Sequence, residues 1–139
     1  MSLERFCRKD VVTIPPTQSV FEAAQKMREH HVGAVVVAED GRPVGMLTDR
    51  DIVFRVVLEG RDPKTTPTRD AMSHRVTTAR SEEQIDDAVR RMREGRVRRL
   101  PILGRDGRVC GLVALDDLVV LLAGELGEAT AAIRSNRGA

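Results

Sequence analysis

The chain has no tryptophan and no tyrosine, and its only aromatics are Phe6, Phe21 and Phe54. A core must therefore be assembled from Val, Leu, Ile, Ala and Met. Base stacking on aromatic side chains, which single-stranded nucleic-acid binders use, has almost nothing to draw on. Cysteine is as scarce. Cys7 and Cys110 form neither a metal-binding spacing nor a disulfide framework. Cys110 sits in an apolar run and reads as a small buried thiol, whereas Cys7, close to the N-terminus, reads as exposed. His30 and His31 leave different sides of a helix end and His74 is remote, so no metal site is expected. No apolar run approaches the ~18 residues of a membrane span, and the first residues lack a secretory apolar segment. The expectation is a cytoplasmic chain with no membrane partner. An excess of one charge is missing too: 23 Lys and Arg face 21 Asp and Glu, for a net +2. That balance, with so few aromatics, argues against nucleic acid as a partner. The chain also lacks a nucleophile paired with a base, a P-loop and a Rossmann glycine pattern, so neither an enzyme nor a resident cofactor is expected.

What the chain does have is a repeat. Val11, Thr13, Ala23, Met27, Arg28, Glu29 and Val32 recur as Val76, Thr78, Ala88, Met92, Arg93, Glu94 and Val97, sixty-five positions on. After a one-residue slip, Asp40, Gly41, Arg42, Gly45, Asp51 and Val53 recur as Asp106, Gly107, Arg108, Gly111, Asp117 and Val119. Each copy is about sixty residues, a size that buries little surface alone. Two copies point to a pseudo-symmetric pair with clefts between the halves.

The order of elements can be read within one copy. Val11–Ile14 is a β-branched run ended by Pro15 and Pro16. Ser19 and Glu22 have capping-box spacing, and Val20, Ala23, Ala24 and Met27 lay an apolar stripe along the helix that follows. Ala34–Ala38 is a strand-length apolar run, Asp40-Gly41 a hairpin turn, and Val44–Leu47 the returning strand. A second helix from Asp49 to Leu58 stops at Gly60. The order β-α-β-β-α returns as Val76–Thr78, Glu82–Glu94, Leu100–Leu103, Val109–Val113 and Asp116 onwards. The fold class is α/β: two pseudo-symmetric βαββα repeats packed as one module. The copies span 7–60 and 72–124, with a linker at 61–71. A helical tail at 125–139 frays into its last Ser-Asn-Arg-Gly.

The Gly45-x-x-Thr48-x-x-Asp51 stretch, Val97-Arg-Arg-Leu-Pro-Ile102 and the sixty-residue βαββα repeat together resemble the CBS domain, the cystathionine β-synthase type. The tandem copies resemble a CBS pair, or Bateman module, over residues 7 to 124. Thr48–Ile52 and Gly60–Pro63 are also similar to small bacterial proteins consisting of a CBS pair alone. The resemblance implies a regulatory module that binds adenine nucleotides (AMP, ADP, ATP or a related adenosyl ligand) in clefts between the copies. It places a ribose-binding Asp of each copy opposite the first strands of the other. Carried over, Asp51 and Thr48 would face Thr77 and Val97, with Arg98, Arg99, Arg50 and Arg69 available to phosphate. The second, weaker cleft would hold Asp117, Ala114, Val12, Val32, Gly33 and Ala34, without the hydroxyl or the arginines.

Thr48 and Asp51 also have a structural reading, an N-cap and its N3 partner worth about 1 kcal/mol. The two readings are compatible, because one carboxylate has lone pairs for both tasks. Alternation places Arg98 and Arg99 on opposite strand faces, so at most one reaches deep into a cleft. The other arginines of the run, Arg90, Arg91, Arg93 and Arg96, read as a solvated basic face. The stripes Val20, Ala24, Met27 and Ile85, Val89, Met92, with Val53, Val57, Leu118 and Leu122, exceed what two small sheets need to cover. A homodimer through helices is the expected assembly. Any signal would pass to an unidentified effector protein. The alternatives are a structural interaction or oligomerisation protein with empty clefts, or a weak nucleic-acid binder acting through the arginine cluster.

Overall fold

A computed structural model describes residues 1–136. Two three-stranded sheets carry the pseudo-symmetry, one ordered β1-β2-β3 and the other β4-β5-β6. In the first copy, β1 (Thr13–Ile14) lies parallel to β2 (Ala34–Glu39), which pairs antiparallel with β3 (Arg42–Thr48). In the second, β4 (Ala79–Arg80), β5 (Arg99–Leu103) and β6 (Val109–Ala114) repeat the arrangement. The register slips at Val37/Ala38 and again at Ile102/Leu103, the same place in each copy. The Asp40-Gly41 turn has φ of 51° and 77°, the left-handed pair a tight hairpin requires. The two hairpin tips meet, with the Val109 amide donating to the Gly41 carbonyl at 2.8 Å.

Helix α2 (Val20–His30) begins as its sequence dictates. The Ser19 hydroxyl accepts from the Glu22 amide, and the Glu22 carboxylate accepts from the Ser19 amide. Val20, Ala23 and Met27 pack inward on Ile14, Val35, Val37 and Leu47. Helix α4 (Ile85–Gly95) does the same with Ala88 and Met92 against Ala79, Leu100, Ile102 and Val113. Helix α3 (Asp49–Ile52) passes into a π-helical turn, Val53–Val57, that the periodicity does not announce. Its counterpart α5 runs unbroken from Leu115 to Asn136, so the segment expected as a separate tail from 125 is a continuation of this helix. Residues 137–139, expected to fray, lie outside the described residues.

Two segments depart from the sequence reading. A short helix α1 (Leu3–Phe6) precedes the first copy but packs on the second, where Leu3 and Cys7 join that core. The segment read as a linker does the converse: Ala71, with Met72 from the expected start of the second copy, is buried in the first core, and Thr66 and Thr68 are buried beside them. The exchange obeys the repeat. Ser2 bridges Gln84 and Arg8 bridges Leu112, just as Pro67 bridges Ser19 and Ser73 bridges Met46. Gly111 and Gly45 permit the close approach, because a Cβ on either would run into Cys7 or Met72. Hence Cys7 is buried rather than exposed, and Cys110 is half-buried. The Cys110 thiol is pushed above its ordinary range, first by burial and then by neighbouring Cys7.

Candidate functional site

Two clefts lie between the copies, and their walls correspond residue by residue. The first, about 380 Å³, takes Met46, Thr48, Arg50 and Asp51 from the first copy. From the second copy and the segment before it come Ser73, Thr77, Arg96, Val97, Arg98 and Arg99. Arg55 and Arg75 complete the wall. The second cleft, about 220 Å³, substitutes Leu112, Ala114, Asp116 and Asp117 on one side, and Arg8, His31, Val32, Gly33 and Ala34 on the other. Arg99 borders both.

Chain direction explains how Asp51 is placed. Strand β3 ends at Thr48 and α3 starts at once, which sets Thr48, Arg50 and Asp51 together on the cleft wall. Thr48 Oγ1 accepts from the Asp51 amide at 3.1 Å, and Asp51 Oδ2 accepts from the Thr48 amide at 3.0 Å. The capping reading of this pair is therefore realised. It engages one carboxylate oxygen only. Asp51 Oδ1 meets Arg55 at 3.8 Å, beyond hydrogen-bonding distance, and the side chain keeps 19% exposure. Arg55 is held elsewhere, donating to the carbonyls of Ala71 and Met72 at 3.0 and 2.9 Å.

The cleft is strongly cationic, with Arg50, Arg55, Arg75, Arg96, Arg98 and Arg99 around a single carboxylate, Asp51. Arg98 and Arg99 diverge, as strand alternation requires. Arg98 is exposed and donates to Asp116 at 2.7 Å, whereas the Arg99 guanidinium lies beside Gly33 of the second cleft. Arg50 stacks over the Phe54 ring, 5.1 Å from its centroid.

Of the residues read from sequence, Thr48, Arg50, Asp51, Thr77, Val97, Arg98 and Arg99 come together in the first cleft. Arg69 does not. It sits on a 3₁₀ turn, Thr68–Asp70, where its nearest carboxylate is Asp70 at 4.0 Å. Val32, Gly33, Ala34, Ala114 and Asp117 share the second cleft. Val12 does not, and borders a separate hollow with Asp10, Lys26 and His30. Sequence reasoning left out Arg55, Arg75 and Ser73, and assigned Arg96 to the solvated face. Arg96 turns into the cleft because it caps α4 in a left-handed conformation, φ 53°. The repeat itself held a signal for Ser73, which stands sixty-five positions after Arg8.

Two pseudo-symmetric βαββα units with paired clefts between them, each cleft bearing an aspartate near a helix start, define a tandem cleft-forming repeat module. The sequence model of the CBS domain matches residues 3–58 and 69–124, and the chain belongs to the CBS domain family, with two copies in tandem. It is 43% identical over 110 residues to CBS domain-containing protein YhcV of Bacillus subtilis, covering 79% of this chain and 77% of that one. It is 38% identical over 120 residues to protein MK0525 of Methanopyrus kandleri, covering 86% of this chain but 61% of that longer protein. The solved structure of CBS domain protein PAE2072 from Pyrobaculum aerophilum, complexed with AMP, shares the fold. Its TM-score is 0.77 at 22% identity, over 88% of this chain and 97% of that one. Among the described residues no helix is long and apolar enough to cross a membrane, and no group of three or more His, Cys, Asp or Glu gathers as a metal site.

Proposed function

We propose that this module senses an adenine nucleotide, or a related adenosyl compound, in the Asp51 cleft. The observation that carries the reading is the divided carboxylate of Asp51. One oxygen is committed to the cap and the other is open to a cavity of about 380 Å³ ringed by arginines. A ribose offers two hydroxyl donors suited to that oxygen. Thr77 and Val97 supply a wall for the adenine edge. Arg99 and Arg98 offer planar forks that pair two phosphate oxygens at once. At the fold level, AMP held by a relative with the same architecture is consistent with this role. The cleft presents binding groups and no nucleophile with a base, so the activity is regulatory rather than catalytic. The output passes to an effector protein as yet unidentified.

A thermal-shift screen with AMP, ADP, ATP, NAD, S-adenosylmethionine and adenosine tests the proposal. At 100 times its dissociation constant the true ligand adds about 2.7 kcal/mol to stability. No shift with any of them removes the reading and leaves an interaction module in its place. A specific observation favours that second reading: apolar side chains stand exposed along two helices, among them Val57 at 64% and Leu126 at 69%. We assign that surface to a second copy of this chain, giving a homodimer. A steep fall of binding with salt would instead mark the arginines as a nucleic-acid surface.

A further inference from the structure

Arg8 occupies in the second cleft the place that Ser73 holds in the first, since Arg8 pairs with Leu112 as Ser73 pairs with Met46. The exchange of side chain changes the fate of the aspartate. Arg8 Nη2 donates to Asp117 Oδ1 at 3.2 Å, and Arg8 Nε lies 3.2 Å from Asp117 Oδ2. A single guanidinium thus engages both carboxylate oxygens. At Asp51 one oxygen serves the cap and the other has only a distant neighbour. Ala114 supplies no hydroxyl to build the corresponding cap at Asp117. Space differs in the same direction. Pockets for drug-sized ligands take about 300–1,000 Å³, a range that includes the 380 Å³ of the first cleft and not the 220 Å³ of the second.

We propose that Arg8 is an intramolecular competitor for the ribosyl position at Asp117, so that the Asp51 cleft fills first and the Asp117 cleft second. The inference rests on the adenosyl reading of the Asp51 cleft. Ribose hydroxyls entering at Asp117 must displace two charge-assisted contacts made by the chain itself, whereas at Asp51 they meet an open oxygen. The Arg8 side chain is 64% exposed, so the contact is replaceable and weakened by salt. The second cleft keeps its scaffold and lacks a free carboxylate, the hydroxyl that Thr48 supplies in the first, and the room to reach them.

The test uses the whole chain and adenosine, which has the ribose and no phosphate, so that removing a cation leaves anion attraction out of the result. In an Asp51→Asn background, which keeps an acceptor for the Thr48 amide, the Asp117 cleft carries the remaining binding. Adding Arg8→Ser there should tighten adenosine about threefold to fivefold, the worth of one exposed ion pair. In the otherwise unaltered chain, Arg8→Ser should tighten the second, weaker adenosine step by the same factor and leave the first unchanged. Arg8→Lys, which keeps the charge without the fork, should fall between. Unfolding curves confirm that each variant is folded. Two equal sites in the wild type overturn the proposal. So does unchanged or weaker adenosine binding in Arg8→Ser, the weaker case marking Arg8 as a ligand. A wild type without adenosine binding, beside an Arg8→Ser variant that gains one site, sinks the Asp51 reading and leaves the competitor standing. Silence from both discards both.

Discussion

Asp51 and Asp117 stand at the starts of equivalent helices and are held differently, Asp51 by its own cap and Asp117 by Arg8. Replacing Asp51 with Ala should therefore remove most adenine-nucleotide binding and also cost the helix about 1 kcal/mol of capping. Asp117→Ala should leave the binding nearly intact, and paired calorimetric titrations read the difference. Equal losses would end the case for one specialised cleft. The arginines separate in the same way. Arg98 already has Asp116 as a partner, while Arg99 borders both clefts with its guanidinium beside Gly33 of the second. For a phosphate reached by Arg99 across that shared wall, Arg99→Ala should weaken AMP by roughly 10- to 150-fold and adenosine little, the range of one charge-assisted contact; Arg98→Ala should do less. Cysteine chemistry offers an independent check of the packing. Cys7 is buried and the Cys110 thiol is raised by burial, so native protein should react slowly with a thiol reagent near neutral pH. Both should react at once in denaturant.

At the scale of elements, the glycines under the exchanged segments make the sharpest test. A Cβ at Gly45 would meet the Met72 side chain and come within 2.9 Å of the Ser73 carbonyl. Gly45→Ala should lower stability by about 1–3 kcal/mol through overpacking, measured by urea denaturation. The strands and the two principal helices were legible because their residues answer to local rules. Ser19 with Glu22 and Thr48 with Asp51 cap as their spacing says, and the stripe of Ala23 and Met27 faces a core. What escaped was set by tertiary contact. Cys7 and Met72 look like loop residues until the opposite sheet offers them a place over a glycine. Strand β4 lies at Ala79–Arg80 rather than at Val76–Thr78, because only the former pair reaches Ile102 and Leu103. The cleft was partly legible for the same reason: residues of one motif, such as Thr48 and Asp51, could be read together. Arg55 and Arg75 depend on the folded meeting of two copies.

The whole molecule binds its halves by exchange: each core takes a segment from ahead of the other copy. Thermal unfolding should show one transition for the chain, and residues 7–60 or 72–124 expressed alone should fail to fold stably, which circular dichroism on the fragments decides. Several stripe residues expected to serve a dimer are committed inward, Val20, Met27, Met92 and Leu118 among them. Val53, Val57, Val89 and Leu122 remain outside with Val120 and Leu126. Val57→Glu with Leu126→Glu should convert a dimer to a monomer by light scattering, and a monomeric wild type at micromolar concentration would contradict the assembly.

The swapped leading segments impose an order on synthesis. Residues leave the ribosome in sequence, so the first copy can close its core once Met72 and Ser73 have emerged. Leu3 and Cys7, made before either, have no sheet to cover until Val113 arrives. For most of translation the earliest apolar residues wait without their partner, and the last strand made is the one that gathers them in. Leu3 and Cys7 thus close on their core only after both sheets have been made.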